Sequence, residues 1–185
     1  MFKENQIFTF LDFETTGIDT SSGTKVRPIE IGAIYTDYQL NKLYEYKSLI
    51  KWPEFMLWKE WPDEFQAAYN VHKIPVKRVQ KKGKWQHEIV RDLIKIDKKI
   101  RKDGKYKPVV ISDAPNFEMF FLQMLFGNRE NENFIFHYNA WSIFPTFQLF
   151  DVKMGNKPHD ALSDAQLMLE GMREVFKKAK ELNIK

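Results

Sequence analysis

Two carboxylates stand one residue apart in Asp12-Phe13-Glu14, directly after an apolar run and directly before Thr15-Thr16-Gly17. On a β-strand alternate side chains share a face, so Asp12 and Glu14 point one way and Phe13 the other. Side-by-side carboxylates repel each other, and a divalent cation between them removes that penalty. Oxygen-only ligands select a hard ion, Mg²⁺ or Mn²⁺. The Thr-Thr-Gly turn offers hydroxyls and backbone N–H groups beside such an ion. A second group lies far along the chain, in His159-Asp160-Ala161-Leu162-Ser163-Asp164-Ala165. A helical pattern starts there, which puts His159 just ahead of a helix and Asp164 just over one turn inside it, so both can face one site. A carboxylate at that place can ligate metal. An imidazole, which titrates near neutral pH, can act there as a general base.

These residues need elements to position them. Residues 6–13 are rich in aromatic and β-branched side chains and predict a buried first strand, followed by a loop over 14–25. Ile29–Tyr38 and Leu43–Ile50 predict two more strands, joined by a turn at 39–42. Helical patterns cover 63–71 and 76–81. Gln86–Ile100 predicts an amphipathic helix with Ile89, Leu93, Ile96 and Ile100 as one stripe. Lys107–Ser112 reads as a short apolar strand, and Phe117–Phe126 as a helix stopped by Gly127. Residues 134–150 are apolar and aromatic without a clear period. Asp160 to about Leu182 predicts a long helix burying Ala161, Ala165, Met168, Leu169, Met172, Val175, Phe176 and Ala179. Three strands first, then helices alternating with strands, predict an α/β domain with a mixed sheet.

The two acidic motifs together resemble the DEDDh (DnaQ-like) 3′→5′ exonucleases of the ribonuclease H-like superfamily. The family's first motif, D-x-E-T-T-G, stands as Asp12 to Gly17, and its third, H-x-A-x-x-D-A, as His159 to Ala165. Ile29-Glu30-Ile31-Gly32-Ala33 is similar to the family's second strand. Val71-His72-Lys73-Ile74-Pro75 is similar to the segment before its middle helix. The resemblance implies a ribonuclease H-like mixed sheet of about five strands flanked by helices, as one exonuclease domain over residues 1–185. It implies two divalent cations, Mg²⁺ or Mn²⁺, with Asp12 touching both, Glu14 and Asp164 completing the first site and a fourth carboxylate holding the second. The middle motif departs from the family's N-x-x-F-D pattern. Glu118 aligns where the aspartate belongs, and Asp113 at the end of its strand is the other candidate; Asp113 is favoured here as better placed beside the first strand.

By the same resemblance His159 takes the proton of the attacking water, and the terminal phosphodiester of a DNA or RNA 3′ end yields a nucleoside 5′-monophosphate. Thr15, Thr16, Gly17 and Phe117 would hold the terminal nucleotide. Family members also work as partner-dependent proofreading subunits, so a polymerase or repair partner, or a homodimer, fits as well. The altered middle motif keeps a second reading open, a nucleic-acid-binding module with a weak or inactive site.

Charge distribution fits a polyanion. Lys73–Lys107 holds 14 of the 29 basic residues and 4 of the 25 acidic ones; the remainder carries 15 against 21. Lys77, Arg78, Lys81, Lys82, Lys84 and Lys95 in that segment can hold phosphates without reading sequence. The absence of cysteine excludes disulfides, thiolate nucleophiles and cysteine-held zinc, and fits a reducing compartment. No signal-peptide core and no run of ~18 apolar residues is present, so a cytoplasmic protein without a membrane span is expected. Trp52, Phe55, Met56, Trp58 and Trp61 cluster between prolines and are expected to cover an edge of the core. His72 and His87 show no metal-ligand spacing and read as packing or surface residues.

Overall fold

In chain order the elements are β1 (Phe8–Thr15), β2 (Pro28–Thr36), β3 (Lys42–Lys51), α1 (Pro62–His72), α2 (Val76–Lys82), β4 (Lys84–Trp85), α3 (Gln86–Ile100), β5 (Val109–Ser112), α4 (Pro115–Phe126), β6 (Trp141–Ser142), α5 (Phe144–Leu149) and α6 (Ala161–Glu181). They come from a computed structural model that describes residues 4–21, 26–53, 62–101, 106–128 and 130–182, with the backbone alone over 62–65. Phe55, Met56, Trp58 and Trp61 of the aromatic cluster, and residues 22–25 of the expected loop, lie outside the described residues. Trp52 is described and buried, its indole N–H donating to the Pro28 carbonyl at 2.6 Å.

The six strands form one mixed sheet in the order β4-β3-β2-β1-β5-β6. β1, β2 and β3 run as an antiparallel meander, while β5 pairs parallel to β1 and β6 parallel to β5. The two outer strands, β4 and β6, have two residues each, too few to show any alternation in the sequence. β6 and α5 fall in the stretch 134–150, whose period was unreadable.

Every residue of β1 is buried, because β1 has strands on both sides and a layer of helix on each face. Phe8 and Phe10 point to one face, against Met168, Leu169, Met172 and Val175 of α6 and Phe147 of α5. Leu11 and Phe13 point to the other, against Ile89, Leu93 and Ile96 of α3 and Met119, Phe121 and Leu122 of α4. Burying each of these side chains stabilises the fold by roughly 1.5–3 kcal/mol. The same alternation carries Asp12 and Glu14 onto the face covered by α6.

One residue sets how closely that helix approaches. Gly32 pairs with Asp12 across β1 and β2. A Cβ built on Gly32 would lie 2.2 Å from backbone atoms of Ala161 and Leu162. The first turn of α6 therefore rests directly on the sheet where the acids stand. Glycine inside a strand often marks such a close approach. Gly127, at φ 91°, ends α4 as expected. Among the described residues no helix is long and apolar enough to cross a membrane.

Candidate active site

The carboxyl ends of β1 and β5, the start of α4 and the start of α6 meet at one end of the sheet. The β1–β5 register pairs Phe10 with Ile111, and continuing it by two residues sets Asp12 beside Asp113. Glu118 comes from the first turn of α4, and Asp164 from the first turn of α6. Two groups of ligand atoms result, each within 4.8 Å: Glu14, His159 and Asp164, and Asp12, Asp113 and Glu118. All six line one cleft of about 740 Å³. The sequence left Asp113 and Glu118 as alternatives; the structure brings both to Asp12.

Helix α6 is held in place by charges that the motifs did not reveal. The side chain of Asp160 accepts from the Ser163 N–H at 3.1 Å, capping the helix. Buried Glu30 accepts from the Ala161 N–H at 3.1 Å, against the positive end of the helix dipole. Lys47 bridges Glu30, at 3.5 Å, and Asp160. Glu30 is the one acid inside an otherwise apolar strand, a signal legible in the sequence. Just before the helix, His159 adopts a left-handed backbone, φ 56°, which turns its ring toward Glu14 and Asp164.

Lys157 was not expected at the site. Its ammonium donates to Asp12 Oδ1 at 3.0 Å and pairs with Asp113 Oδ2 at 2.8 Å. No spacing in the sequence separates it from other loop lysines. Its two acids hold its ammonium protonated well above the ordinary lysine range, against the opposing effect of burial.

Burial dominates the electrostatics of the acids. It raises Asp12 to about 7, with Asp164 and Asp113 pushing the same way and Lys157 opposing. It raises Glu14 to about 8, helped by Asp12, Asp164 and Glu30. Asp164 and Glu118 are raised as well, both chiefly by burial. Glu118 is 2% exposed and Asp164 1%, yet among the described residues Glu118 Oε2 and Asp164 Oδ1 have no hydrogen-bond partner. A buried carboxylate oxygen without a donor is costly. One such oxygen in each group fits a site built for cations.

The remaining expected residues divide. Thr15, Gly17 and Phe117 line the cleft, as do Ala114, Val71 and His72. Thr16 does not: its N–H donates to the Arg27 carbonyl and its hydroxyl accepts from the Arg27 N–H, both at 2.9 Å, so it fastens the loop. His72, read as a packing or surface residue, is buried in the cleft wall, its Nδ1 accepting from the Ile74 N–H at 2.9 Å. Burial pushes it down to about 4, with His159 and Lys73 adding to the effect and the Thr15 backbone opposing it.

The basic segment also divides. β4 pairs with the last residues of β3, at the same end of the sheet as Glu30 and Glu14. Helix α2, with Lys77, Arg78, Lys81 and Lys82, lies beside that end, its Gln80 donating to the Trp52 carbonyl at 2.8 Å, whereas the Lys84 ammonium pairs with Asp92 at 2.6 Å. Lys95 lies roughly 14 Å along α3 from its start, at 1.5 Å per residue, and away from that end.

No protein-family model and no curated protein sequence matches the chain. Solved structures match its fold. Exonuclease I from Methylocaldum szegediense superposes with a TM-score of 0.70 at 17% identity, over 96% of this chain and 42% of that one. The zinc-bound complex of E. coli exonuclease I with single-stranded DNA gives 0.68 at 13% identity, over 96% and 42%. A 3′-exonuclease that recognises the histone mRNA stem-loop gives 0.64 at 12% identity, over 93% of this chain and 82% of that one. The chain spans about two-fifths of the length of the exonuclease I structures and shares the fold of the part it covers, a mixed sheet flanked by helices.

Proposed function

We propose that this chain is a metal-dependent exonuclease that removes nucleotides from the 3′ end of DNA or RNA. The observation that carries this is the convergence of Asp12, Glu14, Asp113, Glu118 and Asp164 with His159 in one cleft, with a partnerless buried oxygen in each of two groups. The fold agrees, since chains with this fold include exonucleases on single-stranded DNA and on an RNA stem-loop. The 3′ polarity follows the 3′-exonuclease among them.

Asp12, Glu14 and Asp164 would hold one divalent cation, Mg²⁺ or Mn²⁺, and Asp12 with Glu118 the second. Glu118 offers a free oxygen, while Asp113, the residue favoured from sequence, is engaged by Lys157. When bound, such cations activate the attacking water and stabilise the departing oxygen. His159, beside Glu14 and Asp164, accepts the proton of that water. Thr15, Gly17, Ala114 and Phe117 form the walls that receive the last nucleoside, the Phe117 ring edge-on to Phe121 at 4.7 Å. Lys77, Arg78, Lys81, Lys82 and Lys84 hold phosphates further along the strand.

The test is direct. Single-stranded DNA and RNA oligonucleotides labelled at the 5′ end, incubated with the protein and Mn²⁺, give ladders shortening from the 3′ end, and chelator abolishes them. Intact substrate under all conditions, or shortening from the 5′ end, overturns the reading.

A further inference from the structure

The lysine among the acids is a feature that motif logic does not ask for. Five carboxylates make up the two groups, and one ammonium is set among them, paired to Asp12 and Asp113. Fully ionised, five negative charges and one positive charge leave four negative charges, which two divalent cations cancel. Asp113 and Glu118 both reach Asp12, so this group carries three acids, and the ammonium offsets one of them. Asp12 is the acid shared between the lysine and the cations.

We infer that Lys157 is a built-in counter-cation, which holds Asp12 and Asp113 together in the cation-free chain and yields Asp12 when a divalent ion enters the group containing Glu118. The ammonium is displaced and keeps its proton. Its second partner, Asp113, retains it at the cleft wall, 2.8 Å from the carboxylate. There it lines the same cleft as Asp12, Glu118 and Phe117. Lys157 is thus a positioning residue that sets how tightly the second cation is held. The inference rests on the reading that these acids take divalent ions, and it does not depend on hydrolysis.

Calorimetric titration of Mn²⁺ into the full chain, without nucleic acid, tests it. Wild type is expected to take up two ions with separable affinities. Lys157→Met removes the competing charge and should tighten the weaker site about tenfold, the stronger site changing little. Lys157→Gln keeps N–H donors for both acids while dropping the charge, and should tighten it likewise; it serves if the methionine variant does not fold. Lys157→Arg, which keeps the charge, should not tighten it. In chelator both neutral variants should melt below wild type, and Mn²⁺ should narrow that gap. Two ions bound by wild type with no tightening in the methionine and glutamine variants overturns the inference alone. No Mn²⁺ uptake by any form overturns it together with the proposed function.

Discussion

Glu14, His159 and Asp164 meet across the face covered by α6, with an imidazole as their third member; Asp12, Asp113 and Glu118 meet across β1, β5 and α4, with an ammonium among them. Both groups confront the same problem, carboxylates forced together in a buried place. The first contains no basic side chain except a histidine, and burial raises both of its acids. Burial raises Asp12 and Glu118 of the second as well, but that group carries its own cation. The difference teaches that neighbouring groups in one cleft can share the cost of burial and still differ in charge, because a lysine offsets part of it in only one of them. It also implies that the two respond differently to metal.

The largest effect should come from Asp12, which belongs to one group and touches the lysine that balances it. Asp12→Asn should lower 3′-end hydrolysis by about a thousandfold or more, read from release of labelled mononucleotide, while circular dichroism stays native. Turnover within tenfold of wild type would mean that the groups do not act as a pair. His159→Asn comes next, because asparagine tolerates the left-handed backbone that His159 adopts. It should cost about 10²–10⁴-fold in rate, the range for a lost general base, and leave Mn²⁺ binding at the second group unchanged. A parallel loss of binding at both groups would erase the distinction between them.

Acid–base behaviour gives the smallest effect, and one that the two groups share. In chelator, folding holds protons on Asp12, up at about 7, and on Glu14, up at about 8, which the unfolded chain releases near the ordinary carboxylate range. The folded state therefore binds more protons between roughly pH 4.5 and 8, so stability falls as pH rises through that window. Melting temperature in chelator should drop by several degrees from pH 5.5 to 8, and saturating Mn²⁺ should flatten the profile. A flat profile without metal would show these acids to be ionised throughout, contrary to the role assigned to burial.

How much of this was legible from residues alone depended on distance along the chain. Asp12 and Glu14 could be read because strand alternation is local, and Asp164 because a helix start announces itself. The apolar stripes of α3 and α6 face the core as their periods required. The choice between Asp113 and Glu118 could not be read, since both follow one short strand and only the third dimension shows Asp12 reaching each. Lys157 had no local pattern at all. Glu30 and Gly32 did carry a signal, a charge and a missing side chain within an apolar strand, whose meaning depends on a helix from much later in the sequence. Thr16 matched its motif as well as Thr15 does, yet its hydrogen bonds go to Arg27. His72 looked like packing and is packed, but within the cleft wall.

Asp164 and His159 arrive with α6, the last element in order, while Asp12 and Glu14 belong to the first. A chain still emerging from the ribosome can pair its opening strands long before the closing helix exists. Until that helix lands on Gly32, Glu14 lacks both His159 and Asp164, and the first of the two groups does not exist.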